Sequence, residues 1–187
     1  NAIIIFAVLS LISGLSLLYL ALGNHWLITF LFFVLGLAAI ASAIKYTVGE
    51  NAYGYQGLGD LFVFIFFGLV AVLGTYFLNT LSFNFELLLP AASMGFLSAG
   101  VLNLNNMRDM DNDRASGKHT LAAALGYRKS RIYHALLIGL AFLFAFLYVI
   151  FRFHSYWNFL FLLSVSLFIN DLVKIFHTSD KAELYPY

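Results

Sequence analysis

Asp109, Asp111 and Asp113 alternate with Met110 and Asn112, and Arg108, Arg114 and Lys118 surround them. They lie in Asn105–Gly126, NNMRDMDNDRASGKHTLAAALG, the densest polar run of a 187-residue chain that is otherwise almost uninterrupted hydrocarbon. Carboxylates at the edge of a greasy segment cost free energy unless something cationic answers them. On a helix, Asn105, Asp109 and Asp113 fall one turn apart on one face, and Asp111 points about 200° away. Hard oxygen ligands at that spacing suit Mg²⁺, which takes a few carboxylates and leaves its other positions to water and phosphate oxygens. Between Asn105 and Arg131 six Lys/Arg stand against three Asp, so the patch attracts anions although its centre is acidic. The chemistry these residues suggest is metal-bridged binding of a phosphorylated substrate, with lysine or arginine covering the remaining oxygens.

Other chemistries fit less well. D-x-D-x-D opens a calcium loop, but Arg114 stands where the turn glycine belongs and Thr120 where the bidentate glutamate belongs. Gly117-Lys118 lacks the upstream glycine of a phosphate-cradling loop, and no Ser/His/Asp or Cys/His nucleophile arrangement is visible. The five histidines are scattered without an i, i+4 pair, so no metal site is read from them. Asp171 and Lys174 read as an i, i+3 ion pair at the membrane interface.

The elements that must position these residues are membrane helices. Hydrophobic residues make up 62% of the chain and charged residues 10%, against roughly a quarter charged in soluble domains. There is no cysteine, which excludes disulfides and thiolate metal sites, and a formal charge of +1 carries no sign of a nucleic-acid partner. Six apolar segments have spanning length: Ala2–Leu22, Trp26–Ile44, Leu61–Leu78, Phe85–Leu104, Ile132–Phe151 and Trp157–Ile175. None alternates polar and apolar residues, which argues against a membrane β-barrel. The expectation is an all-α, polytopic helix bundle forming one domain over residues 1–187.

If the spans alternate, Lys45, Arg108, Arg114, Lys118, Arg128, Lys129, Arg131, Lys174 and Lys181 share one side and only Arg152 lies on the other. The positive-inside rule then turns the acidic cluster to the cytoplasm. The same side holds Tyr46–Gly59, YTVGENAYGYQGLG, with Gly49, Gly54, Gly57 and Gly59 beside Tyr46, Tyr53 and Tyr55. That composition serves either a mobile lid over an aromatic substrate or a flexible connection with tyrosines at the lipid interface.

The motif Asn-Asn-x-Arg-Asp, with Asp113, Gly117-Lys118-x-Thr120-Leu121 and Leu125-Gly126, resembles the second aspartate-rich motif of the UbiA-type intramembrane prenyltransferases. Together with Lys45–Phe77, KYTVGENAYGYQGLGDLFVFIFFGLVAVLGTYF, it is most similar to the 1,4-dihydroxy-2-naphthoate polyprenyltransferases of menaquinone synthesis. The resemblance implies about nine spans around a cavity open to the cytoplasm and to lipid, in the bacterial cytoplasmic (inner) membrane. It implies Mg²⁺ on Asp109 and Asp113, with these two and Lys118 as catalytic residues. Asn105, Arg108, Asp111 and Arg114 would bind the diphosphate of a polyprenyl diphosphate, and Tyr46 and Asp60 would line the side of the aromatic acceptor, dihydroxynaphthoate. Another acceptor (4-hydroxybenzoate, a chlorophyllide or haem) is the alternative within the family. An ion-coupled transporter is the alternative outside it, and it would place paired polar residues near the midplane of several spans.

The chain departs from the family pattern in three places. A first aspartate-rich motif, expected just upstream of Ala2, and a final span are absent, and Glu50 stands where some relatives carry a lysine after Tyr46. The stretch therefore reads as an excerpt of a longer protein. It is expected to be inactive by itself, and prenyl turnover by the isolated 187-residue chain would contradict that.

Overall fold

A computed structural model describes residues 2–47, 52–178 and Leu184, and every described regular element is helical. Helices follow from the solvent: inside a bilayer each backbone N–H and C=O must be satisfied within the segment. In chain order they are α1 (Ala2–Leu22), α2 (Trp26–Thr47), a 3₁₀ turn (Tyr53–Tyr55), α3 (Gly59–Thr80) and α4 (Phe85–Arg108). The short α5 (Met110–Ala115) and α6 (Leu121–Leu125) follow, then α7 (Tyr127–Phe151) and α8 (Tyr156–His177). Among the described residues five helices are long and apolar enough to cross a membrane: α2 over Trp26–Tyr46, then α3, α4, α7 and α8. Val8–Leu22, within α1, is a shorter apolar stretch. Helices α2, α3, α4, α7 and α8 contain the apolar segments expected from Trp26 onward, while the expected first span, Ala2–Leu22, coincides with α1, which is not among these five.

Alternation of the chain is visible in its contacts. At one end, His119 N donates to the Tyr55 carbonyl at 2.8 Å, and the Tyr127 hydroxyl donates to the Thr178 carbonyl at 3.1 Å. These bonds bring together the connections after α2, α4 and α8. At the other end Arg152, just after α7, pairs with Glu86 at the start of α4.

The central helix is α4, packed between α3 and α7, and small residues put it there. Ala91, Ala92, Ser93, Gly95, Ala99, Gly100 and Asn103 are its buried positions besides Met107. A Cβ on Gly68 of α3 would lie 2.6 Å from the Ala91 carbonyl oxygen and from the Gly95 Cα, so the two backbones touch. Around that contact α3 runs as a π-helix from Phe64 to Val70, a local widening that often marks a functional stretch of helix. On the α7 side, the Ser93 hydroxyl donates to the Ala141 carbonyl at 2.8 Å and Asn103 Nδ2 to the Ser130 carbonyl at 3.2 Å. Small residues with a few polar bonds are how membrane helices pack where burial of apolar surface gives little driving force.

Helix α8 is fastened by Arg131 of α7. Its guanidinium donates to the Phe176 carbonyl at 2.8 Å and lies 4.6 Å from the centre of the Tyr127 ring. A cation there answers the unsatisfied carbonyls and the negative end of the helix dipole. Beside it a cluster of Met107, Met110, Ala122, Ala123, Ile175 and Leu184 closes the same end of the bundle.

Gly68→Val should force α3 and α4 apart and cost about 1–3 kcal/mol or more, read as a lower melting temperature in detergent. Gly139→Val, where a Cβ meets nothing within 4 Å, should change it little. Equal melting of the two variants would contradict the backbone contact.

Candidate active site at one end of the bundle

The acidic stretch is built by the end of α4. Helix α4 stops at Arg108, and Asp109 adopts φ −88° and ψ 6° before α5 begins. The i→i−4 ladder nevertheless continues, with Asp109 N to the Asn105 carbonyl at 3.0 Å and Asp113 N to the Asp109 carbonyl at 2.8 Å. Asn105, Asp109 and Asp113 are thus stacked along the backbone as their spacing suggests, but their side chains part. Asp109 turns to Arg108, which grips it with two bonds, Nε to Oδ1 at 2.7 Å and Nη2 to Oδ2 at 2.8 Å. Asp113 is buried, with its side chain 10% exposed, and its Oδ1 lies 3.5 Å from Lys118 Nζ.

A glycine turn brings Lys118 there. Gly117 has φ +74°, a conformation costly for residues with a Cβ. Lys118 N bonds the Asp113 carbonyl at 2.8 Å and Gly117 N the Arg114 carbonyl at 3.2 Å. This is the paired bond pattern by which a helix ends on a left-handed residue, and it folds the chain back so that Lys118 returns to Asp113. Beyond it, the Thr120 hydroxyl accepts from Ala123 N at 3.2 Å and caps α6. Arg114 is exposed and donates to the Ala123 carbonyl at 2.6 Å, tying α5 to α6. Asn105 and Asp111 are exposed.

The hydrogen bonds from the Arg108 guanidinium hold the Asp109 carboxyl below its usual range, outweighing the desolvation that raises it, and the charges of Arg108 and Lys118 act in the same lowering direction. Asp109 and Asp113 therefore share the influence of Lys118 although they face different partners. Two carboxylates, an ammonium and a guanidinium form the charged half of the site.

The second half comes from α2, α3 and α7. Tyr46, near the end of α2, is half-buried and lies within electrostatic range of both Asp60 and Asp113. Two glycines come close to the same edge of its ring. A Cβ on Gly54 would come 2.6 Å from the Tyr46 carbonyl and 2.8 Å from the ring, and one on Gly59 3.3 Å from the ring. Asp60 follows, 6% exposed at the start of α3, with the Tyr133 hydroxyl of α7 near enough to interact with its carboxylate. Tyr53 stacks on Phe62 with ring centres 3.9 Å apart and donates to the Ser42 carbonyl at 2.7 Å. Lys118 Nζ stands 5.1 Å over the Tyr55 ring. The tyrosine loop, over its described part from Ala52, is therefore docked between α2 and the acidic stretch. Gly49 and Glu50 lie outside the described residues.

Below Tyr46 and Tyr53 an apolar cavity of about 650 Å³ opens between α2 and α3, lined among others by Ala39, Ala43, Phe62 and Phe66. Asp171 and Lys174 approach to 3.9 Å as an i, i+3 pair near the end of α8. Two residues of this end were not singled out by sequence: Tyr133, near Asp60, and His134, buried on α7 against Gly100. The buried positions of α7, Ser130, His134, Leu137, Ile138 and Ala141, recur at helical spacing. A wheel drawn from Ser130 marks His134 directly and puts Tyr133 at the margin of that face.

Among the described residues no three His, Cys, Asp or Glu gather closely enough to hold a metal ion on their own. Asp109 and Asp113 are a hard-oxygen pair that fits Mg²⁺ only as a partial ligand set, with phosphate oxygens and water supplying the rest.

The chain is 40% identical to "1,4-dihydroxy-2-naphthoate octaprenyltransferase" of Haemophilus influenzae over 184 residues, 98% of this chain and 59% of that protein. It is equally similar to the Escherichia coli protein of the same name over 187 residues, 100% of this chain and 60% of that one. A "2-carboxy-1,4-naphthoquinone phytyltransferase" of Synechocystis is 33% identical over 95 residues, 50% of this chain and 31% of that protein. The chain thus spans about three fifths of the length of the first two relatives. No solved structure matches it. The UbiA prenyltransferase family, whose members are generally metal-dependent, matches residues 1–185. With nearly its whole length matched and its acidic stretch at the mouth of a helical bundle, the chain belongs to the UbiA prenyltransferase family.

Proposed function

We propose that this chain carries part of the site that transfers a polyprenyl group from polyprenyl diphosphate to 1,4-dihydroxy-2-naphthoate, at the cytoplasmic face of a bacterial inner membrane. The observation that carries the reading is the pairing of buried Asp113 with Lys118 at the bundle end, beside Tyr46 and above an apolar cavity. A charged head and a long hydrocarbon tail need those two environments side by side. The names of the relatives supply the donor and acceptor class.

In this reading Asp109 and Asp113 hold Mg²⁺, which when bound neutralises charge on the diphosphate. Lys118 and Arg108 cover diphosphate oxygens that the metal leaves open, and Arg108 then exchanges its grip on Asp109 for one on phosphate. Asn105, Asp111 and Arg114 stand at the rim of the same stretch and meet the head group as it arrives. Preorganised cations at the departing group stabilise the charge that develops there. The allylic C–O bond breaks with its electron pair leaving on diphosphate, and a carbon of the electron-rich naphthalene ring takes the prenyl group. The ring carboxylate departs as CO₂ and leaves its bonding electrons in the ring, giving demethylmenaquinone in its reduced form. Tyr46, within electrostatic range of both Asp60 and Asp113, offers an aromatic ring beside the head-group end.

Asp109→Ala and Asp113→Ala in the whole protein should each lower metal-dependent transfer by roughly a hundredfold or more while membrane insertion stays normal. Asp111→Ala should keep most of the activity. Three equally mild variants would sink the head-group site. Chelation should abolish transfer in washed membranes and Mg²⁺ should restore it. Offering 4-hydroxybenzoate in competition with dihydroxynaphthoate reads the acceptor directly, and a clear preference for the benzoate would overturn the acceptor assignment alone.

A further inference from the structure

The charged half of the site, Arg108, Asp109, Asp113 and Lys118, lies between Asn103 of α4 and Ala122 of α6. Both ends of that stretch meet one residue of α7, Ser130, which is 0% exposed. At the near end, Asn103 Nδ2 donates to the Ser130 carbonyl at 3.2 Å. At the far end, the Ser130 hydroxyl lies 3.2 Å from the Ala122 carbonyl and shares its proton with the Gly126 carbonyl at 3.0 Å. Asn103 is 1% exposed, and its amide oxygen has no hydrogen-bond partner among the described residues. Burying an amide with one end unmet costs free energy, and the bond to Ser130 is what offsets it.

The far end needs such a hold. Helix α6 is only Leu121–Leu125, too short to be stable by itself, so its bonds to neighbours decide where it lies. Two consecutive carbonyls of α6 are held from outside it, Ala122 by Ser130 and Ala123 by Arg114. Lys118 stands just ahead of the Thr120 cap of this helix. A shift of α6 therefore moves the turn at Gly117, and with it the Lys118 ammonium that lies 3.5 Å from Asp113. Ser93 supplies a contrast. It is another buried serine between α4 and α7, donating to the Ala141 carbonyl at 2.8 Å, but both ends of that bond lie within long helices.

We propose that Ser130 is a positioning residue for the diphosphate head group: it pins both ends of Asn103–Ala122 to one point of α7 and so fixes where Lys118 stands relative to the aspartates. The proposal rests on the prenyl-transfer reading and adds to it the residue that sets the span of the acidic stretch. Ser130 touches neither substrate. Anchored at its α4 end alone, the stretch would sample several placements of Lys118, and head-group binding would have to select one of them. Holding both ends makes that selection before the substrate arrives.

The test compares Ser130→Ala with Ser93→Ala in membranes carrying the whole protein. Ser130→Ala should raise the KM for polyprenyl diphosphate roughly threefold to thirtyfold, the effect of one lost hydrogen bond, and leave the acceptor KM within about twofold. In protein free of substrate and metal, it should also speed amide hydrogen exchange across Asp109–Lys118 by roughly tenfold. Ser93→Ala should leave both KM values and this exchange at their wild-type levels. Asn103→Ala should act as Ser130→Ala does, and it carries the test if Ser130→Ala fails to insert.

A donor KM unchanged in Ser130→Ala overturns the role whatever the exchange shows. An equal rise in both KM values, or the same response from the two serine variants, reduces Ser130 to a packing residue and overturns it too. A wild type that transfers no prenyl group to dihydroxynaphthoate overturns the functional reading instead, and unchanged exchange in Ser130→Ala overturns the pinning independently of that result.

Discussion

The arrangement at this end depends on answering one buried carboxylate. Asp113 lies inside the bundle mouth with its side chain 10% exposed, and Lys118 meets it at 3.5 Å. Removing one partner of such a pair leaves an uncompensated charge in a poor solvent. The pair forms because the chain reverses at Gly117 in a left-handed conformation. Lys118 then does more than balance charge. Its ammonium stands over the Tyr55 ring, and the next residue, His119, bonds the Tyr55 carbonyl. One turn thereby joins the acidic stretch to the tyrosine loop, and a charge requirement becomes the geometry of the site.

Such a mouth needs a rigid base, and α4 provides it. Contact between Gly68 and Gly95 lets α3 lie against α4 backbone to backbone, and Ser93 and Asn103 bond α7 on the other side. These contacts fix the starts of α3 and α7, where Asp60 and Tyr133 stand, relative to the end of α4, where Asp109 and Asp113 stand. Arg131 holds the end of α8 against the same corner, so its positive charge serves a helix terminus.

Much of this was legible because the bilayer imposes long apolar runs. The helices Gly59–Thr80, Phe85–Arg108, Tyr127–Phe151 and Tyr156–His177 contain the apolar segments read from the sequence. The stacking of Asn105, Asp109 and Asp113 was also legible, since it follows from helical period alone. What was hidden depended on tertiary partners. Nothing in the spacing shows that Gly68 meets Gly95, or that α3 widens into a π-helix there. The Arg108–Asp109 grip was unreadable for a different reason. Adjacent residues do not face each other on a regular helix, and the two meet where α4 breaks at Asp109. Tyr133 passed unnoticed because a tyrosine at the start of an apolar run looks like an interface residue.

Charge balance sorts the carboxylates of this end by the partner each can accept. Asp109 and Asp113 each lie against a cation, Arg108 and Lys118. A group that brings negative charge can share those cations, particularly with a divalent ion between, so that pair suits an anion. Asp60 has a tyrosine and an unmet oxygen instead. No lysine or arginine pairs with Asp60 among the described residues, so a metal-bound diphosphate finds no cation to share there. Tyr46 lies within electrostatic range of both Asp60 and Asp113. A reaction that expels diphosphate needs cations where the electron pair departs, and Arg108 and Lys118 stand there beside the two carboxylates.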